Sequence, residues 1–341
     1  MKMILDLPDE LLERIHLVRP NVSIFTFITM AIENQINLEG DPTIPNNFKA
    51  DNSIKKGKVV KFEDPDLTNK SKLSEKGHKP KSSDEIIPKV NLDKIQPIEL
   101  KFPFKDTIIW GQYNKFFPIK FGLRYLCYKI ENDNKKFVSL NEFQAECAKK
   151  ASQMKDFLIL IDQKKHNKRG DKLSDGLPDN NENSHRRYIG QVLGFRTSKG
   201  DPVGGIPTLG FAEIFGNQIG ISKYGLDFAK IENPILDFCQ DNPTLLSKDE
   251  QKFLINHIKD HLPEETKAIK FVLKLISENK NTPSLINLEL SNYSGIGDKA
   301  NTIRTGLLSR IHDLGLINRE NIGINSYYKI TDFGIHVRDS L

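Results

Sequence analysis

Two short runs carry the side chains best suited to chemistry on an anion. Near the C-terminus stand Arg304, Thr305, Ser309 and Arg310; earlier come His185, Arg186, Arg187 and Gln191. Guanidinium forks fit phosphate oxygens and the guanine edge, while hydroxyls and amides complete such contacts. Lys2 is a further candidate for a phosphate. Asp162 and Lys164 could do a different chemistry: an acid on Mg²⁺ beside a lysine that polarises a phosphodiester, given a second acid nearby. Asp156 is too close along the chain, and Asp66 lies in a polar stretch. His16, His78, His166, His185, His257, His261, His312 and His336 are scattered, and none pairs with a cysteine at metal-ligand spacing. There is no GxxxxGK[ST], HExxH or GxSxG, and Gly200, Gly204 and Gly205 are not set between a strand and a helix. No cofactor or metal is expected.

The elements that must position the arginines read clearly at the C-terminal end. Thr282-Pro283-Ser284 opens a short helix through Leu285, Leu288 and Leu290, and residues 294–298 form a turn. A second helix follows, with Ile303, Leu307, Leu308, Ile311 and Leu314 in one apolar stripe. Arg304, Thr305, Ser309 and His312 fall mostly on the other side, and Gly315 is a natural stop. Residues 322–331 read as a hairpin strand closed by Asp332-Phe333-Gly334. Helix, turn, exposed basic helix and hairpin resembles the winged helix-turn-helix family. That resemblance implies a recognition helix in the major groove, with Arg304 and Arg310 facing DNA.

A second copy is expected upstream. Residues 118–126 read as a core helix, Ser139 caps a long helix to about Leu160, and Ser184 caps a helix carrying His185, Arg186 and Gln191. A polar insertion spans 164–183. Ile221-Ser222-Lys223-Tyr224-Gly225 parallels Ile330-Thr331-Asp332-Phe333-Gly334, each a strand, a hydroxyl residue, two more residues and a glycine. The aromatics of 108–128 read as core. Ser247 with Glu250 forms a capping box, and Pro263 starts the next helix.

The N-terminal end differs. Met3-Ile4-Leu5-Asp6-Leu7, then Pro8-Asp9-Glu10-Leu11-Leu12 and a Ser23-capped helix resemble the ribbon-helix-helix family, which implies dimerisation or docking. Lys2, Ile4 and Asp6 would be its outward strand positions, and Asp6 would repel phosphate. From Lys49 to Lys94 there are 12 lysines against 8 acids and almost no aromatics, the composition of a disordered, weakly basic tether.

The expected fold is therefore mainly α with small β-hairpins (α+β). Its parts are a ribbon-helix-helix-like unit (1–38), a linker (39–97), a first winged-helix-like domain with a polar insertion (98–238), and a helical connector with a C-terminal winged helix (239–341). The 341 residues carry a net charge of +5, compatible with an anionic partner without requiring one. A mean hydropathy of −0.46 and the lack of any apolar run near about 18 residues predict no membrane span. Residues 1–8 lack the apolar core of a signal peptide, and Cys127, Cys147 and Cys239 read as buried thiols, so a cytoplasmic protein is expected. The function expected is binding of double-stranded DNA, as a regulator or as the recognition subunit of a plasmid, defence or mobile-element system. A homodimer through the N-terminal unit and protein partners are compatible with this. The alternatives are a protein–protein adaptor built on winged helices and a Mg²⁺-dependent nuclease; the acid-x-Lys run 162–164 resembles the element such nucleases use.

Overall fold

Helices with small antiparallel sheets build the chain in this computed structural model. It describes residues 85–341 except 102–103, 105–107, 168–170, 199, 239–242, 294–296 and 323–324. Lys2, the ribbon-helix-helix-like stretch, Cys239 and the linker up to residue 84 lie outside the described residues. The end of the expected linker is packed: Ile86 and Ile95 are buried, so the ordered body begins before residue 98.

The first half opens with α1 (Phe117–Asp133), which starts on a proline at its first turn and ends on the left-handed Asn134. Next come β1 (Val138–Ser139) and α2 (Leu140–Lys165), capped by the Ser139 hydroxyl. α3 (Glu182–Tyr188) is capped by Asn181 rather than Ser184, whose buried hydroxyl accepts from the Asp179 amide. A single π turn continues it from Ile189 to Leu193. A two-rung hairpin, β2 (Phe195–Arg196) and β3 (Pro202–Val203), and the short α4 (Gly205–Thr208) follow. β4 (Ala212–Phe215) and β5 (Gln218–Ile221) complete an antiparallel sheet in the order β1-β5-β4, closed by α5 (Lys223–Lys230).

The second half runs α6 (Lys248–His261), α7 (Pro263–Ser277), α8 (Pro283–Ser291) and α9 (Ala300–Asp313). It ends in the hairpin β6 (Ile317–Ile322) and β7 (Asn325–Ile330), then α10 (Asp332–Ser340). The Ser247–Glu250 capping box and the proline start of α7 are present. α8 buries Ile286 and Leu290, while Leu285 (43%) and Leu288 (60%) face solvent, against the face the leucine spacing predicts.

One closure is built twice. Gly210 and Gly315 take left-handed φ of 64° and 72°. The Ser222 hydroxyl donates to the Gly210 carbonyl at 2.6 Å, and the Thr331 hydroxyl to Gly315 at 2.8 Å. Their amides donate to Phe211 and Leu316 carbonyls, each at 3.0 Å. The same hydroxyls cap α5 and α10 by accepting from Gly225 and Gly334 amides. A Cβ on Gly225 or Gly334 would sit 1.9 or 2.1 Å from that carbonyl oxygen, which is why both positions are glycine.

Residues 77–341 belong to one compact unit, and buried charge joins its halves. Arg310 of α9 is 1% exposed. Its Nε donates to Glu265 of α7 at 2.9 Å, and its other nitrogens to the carbonyls of Tyr113 at 2.7 Å and Ile109 at 3.1 Å. Lys115 meets Asp313 at 2.6 Å. Lys120 of α1 is wholly buried, with Glu250 at 2.9 Å and the Phe228 and Ile231 carbonyls as further acceptors. Burial draws its pKa down to about 8 against the pull of Glu250. Paired this fully, such groups are tolerated in a dry interior.

An aromatic cluster packs α6 on the first half. His257 stacks on Phe253, and its Nε2 lies 2.7 Å from the Leu209 carbonyl. Burial brings its pKa down to about 4, with His261 pushing the same way and Asp260 opposing. An unfolded imidazole takes its proton near 6.5, so the unfolded chain binds more protons between those values. Stability from this residue is whole above about pH 6.5 and falls by about 3 kcal/mol as pH drops toward 4. His257→Phe should flatten this part of the acid limb. Parallel loss of the urea midpoint with pH in wild type and variant would refute the assignment.

Burial also pushes the Cys127 thiol up to about 12 and raises that of Cys147, so both are inert buried thiols. Among the described residues, no helix is long and apolar enough to cross a membrane.

Candidate functional site

α9 turns its faces by about 100° per residue, and this sorts its candidates. Arg304, Thr305, Leu308, Ser309 and His312 line a surface cleft. Ile303, Leu307, Arg310 and Ile311 are buried on the opposite side. Six residues separate Arg304 from Arg310, which places them about 120° apart around the helix. The expectation that Arg310 meets phosphate is thus corrected: its donors are committed to Glu265 and the strap carbonyls inside the protein.

Arg304 is half-buried at the cleft wall. Its guanidinium donates to the Pro283 carbonyl at 2.9 Å and to Asn301 Oδ1 at 2.7 Å, with no acidic partner among the described residues. Burial lowers its pKa from the usual arginine value, yet a guanidinium stays charged. Thr305 donates its hydroxyl to the Asn301 carbonyl. The hairpin supplies the facing wall through Arg319 and Tyr328, which are partners in register across β6 and β7. Arg319 lies 3.4 Å from Asp171. Burial first, and the nearby Lys115 ammonium next, lower the His312 pKa.

α3 is sorted the same way. Arg187 and Gln191, four residues apart, share one face and line a neighbouring cleft with Lys155. Arg187 is exposed and has no ion-pair partner among the described residues. Arg186 points elsewhere and pairs with Glu182 at 2.9 Å on the open surface. His185 turns toward α2, its Nε2 2.6 Å from the Ser152 hydroxyl. Neither of these two lines the cleft.

The two clefts adjoin. Asn114, Lys115 and Gly176 line both. Sequence reasoning missed this wall. Half of it is the strap 109–116, which turns at Gly111-Gln112, the Tyr113 amide donating to the Trp110 carbonyl at 2.9 Å, and packs against α9. The other half is the loop after α2, which is pinned by Asp162. That carboxylate is buried and accepts from the Leu173 and Ser174 amides, the Ser174 hydroxyl and the Asn167 amide, all within 2.7–3.0 Å. Asp162 of the acid-x-Lys run therefore staples this loop. Among the described residues, no group of three or more His, Cys, Asp or Glu is placed to hold a metal ion.

The cleft charge is mixed but leans positive. Lys155 is paired with Asp179 at 2.7 Å. Asp175 also lines the α9 cleft. Against these stand Arg187 and Arg304, with Arg319 beside Asp171 at the rim. A chain of hydroxyl, amide and guanidinium groups along two adjoining clefts can hold an extended anion by hydrogen bonds and charge. Compared with protein-family models, curated proteins and solved structures, the chain matches none.

Proposed function

We propose that this chain binds double-stranded DNA through two winged-helix bodies, α3 and α9 acting as the recognition helices. The observation that carries the reading is that Arg187 of α3, Gln191 of the π turn that continues it, and Arg304, Thr305 and Ser309 of α9 line adjoining clefts with a common wall. In the second half the order helix, helix, helix, hairpin and hydroxyl-capped helix supports the winged-helix reading; the first half ends in the same hairpin and hydroxyl-capped helix, with β2, β3 and α4 inserted after α3, and there the sheet order β1-β5-β4 supports it. Arg319 and Tyr328 on the last hairpin suit contact with backbone phosphate.

Changing Arg187 and Arg304 together to alanine tests this. Each lost phosphate contact lowers the slope of log affinity against log salt by about 0.9. The double variant should lose about two units of slope and at least about tenfold in affinity for random-sequence duplex at low salt. Unchanged affinity and slope in a folded variant would remove the reading.

A second reading rests on a specific observation. Leu285 and Leu288 are exposed on α8, which packs against α9, and such leucines fit a protein partner. An adaptor would show no salt-dependent duplex binding and would lose its partner on Leu288→Ser.

A further inference from the structure

The strap 109–115 is neither helix nor part of a sheet, yet its side chains alternate strictly. Ile109, Gly111, Tyr113 and Lys115 are buried, while Trp110, Gln112 and Asn114 are exposed. The buried edge is fixed at several points. The Ile109 amide donates to Glu265 at 2.8 Å, the Tyr113 hydroxyl accepts from the Gly204 amide at 2.9 Å, and Lys115 holds Asp313. Gly111 lies so close to α9 that a Cβ there would be 2.0 Å from the Thr302 carbonyl oxygen. A backbone held this firmly presents its outer side chains in set positions, as a reading element requires.

Two of the outer side chains reach the clefts of α3 and α9, while Trp110 lines another. Gln112 lines the α3 cleft and Asn114 lines both. Gln191, in the π turn after α3, donates to the Gln112 side-chain carbonyl at 2.8 Å. That bond orients the Gln112 amide and leaves its two N–H donors, with the second oxygen lone pair, turned outward. The Asn114 amide bonds to no described residue. With Arg187 on one side and Arg304 on the other to make the charge-assisted phosphate contacts, these neutral amides are left for the bases between. They are well matched to the paired donor and acceptor of a base edge, adenine N6 and N7 above all.

We propose that Gln112 and Asn114 read base edges of the duplex held between α3 and α9, so that the strap, more than either helix, sets sequence preference. This rests on the duplex-binding reading above. The arginines then hold the backbone on either side, and the strap reports what lies between them.

The experiment uses the full chain and a random-sequence duplex pool. Sequences retained by wild type are compared with those retained by the Gln112→Ala/Asn114→Ala double variant. Both side chains are exposed, so the fold should survive, and an unchanged thermal midpoint checks it. Wild type should enrich a preferred sequence. The variant should lose about tenfold or more of that preference. Its binding to the unselected pool, and its salt slope, should stay as in wild type, because the phosphate contacts remain. A variant that keeps the wild-type preference overturns the strap proposal and leaves duplex binding standing. A variant that loses preferred and unselected duplex equally also overturns it, since the strap would then serve the backbone. If wild type binds no duplex, or binds it without preference, the strap has nothing to read and the proposal falls; in the first case the duplex reading falls with it.

Discussion

Arg310→Ala should cost about 3–5 kcal/mol of folding stability, far more than the loss of a surface arginine. The side chain is 1% exposed and its partner Glu265 0%. Taking the guanidinium away strands the Glu265 carboxylate in a dry site, with the Ile109 amide still donating to it at 2.8 Å. The carbonyls of Ile109 and Tyr113 lose their donor at the same time. Each unmet buried polar group adds its own desolvation cost. Arg310→Met with Glu265→Leu should recover much of the loss, because neither charge is then left alone. Urea midpoints of the two single variants and the double close the cycle. A loss below about 1 kcal/mol for Arg310→Ala would mean that the pair does not join the halves. Lost sequence preference in this variant, with random-duplex affinity kept, would follow from a displaced strap, since the buried guanidinium itself reaches no ligand.

What sequence could and could not reveal here divides by the range of the interaction. The Ser139 cap, the Ser247–Glu250 box, the proline start of α7 and the two hydroxyl-x-x-Gly closures all act within a turn or two of themselves, and all read correctly. Local spacing was also enough to group Arg304 with Thr305 and Ser309, but it set Gln191 beside His185 and Arg186, where the structure sets it beside Arg187. The turn angle alone could have separated Arg310 from Arg304, but nothing local names Glu265 as its partner. The leucines of α8 misled for a related reason. A short helix held by Ile286 and Leu290 does not need its other apolar side chains inside. The strap was read as core because of its aromatics. Its alternation of Trp110, Gln112 and Asn114 with Ile109, Gly111 and Tyr113 was present all along, but period two suggests a strand only when a partner strand is in view. Here the partner is the backbone of a helix far along the chain.

That helix contact sets up the second large effect. Gly306 of α9 faces Gly111, and a Cβ on Gly306 would stand 2.1 Å from the Gly111 carbonyl oxygen and 2.5 Å from its Cα. Inside a helix, glycine to alanine normally gains about 1 kcal/mol. Here the obstacle is backbone on both sides, so strap and helix must separate, and overpacking of this kind costs about 1–3 kcal/mol or more. The net sign should be destabilising by about 2 kcal/mol. Gly190→Ala is the control: the nearest atom to its Cβ is a Phe195 ring carbon at 3.8 Å, so it should be neutral or slightly stabilising. Thermal midpoints order the three proteins as Gly190→Ala at or above wild type and Gly306→Ala well below. Equal midpoints for Gly306→Ala and wild type would mean that the close approach is not held in solution. The same displacement carries Gln112 and Asn114 away from α9. Below its midpoint, Gly306→Ala should therefore keep its affinity for random duplex while losing sequence preference. That combination separates a misplaced reading strap from an unfolded protein, which would lose both.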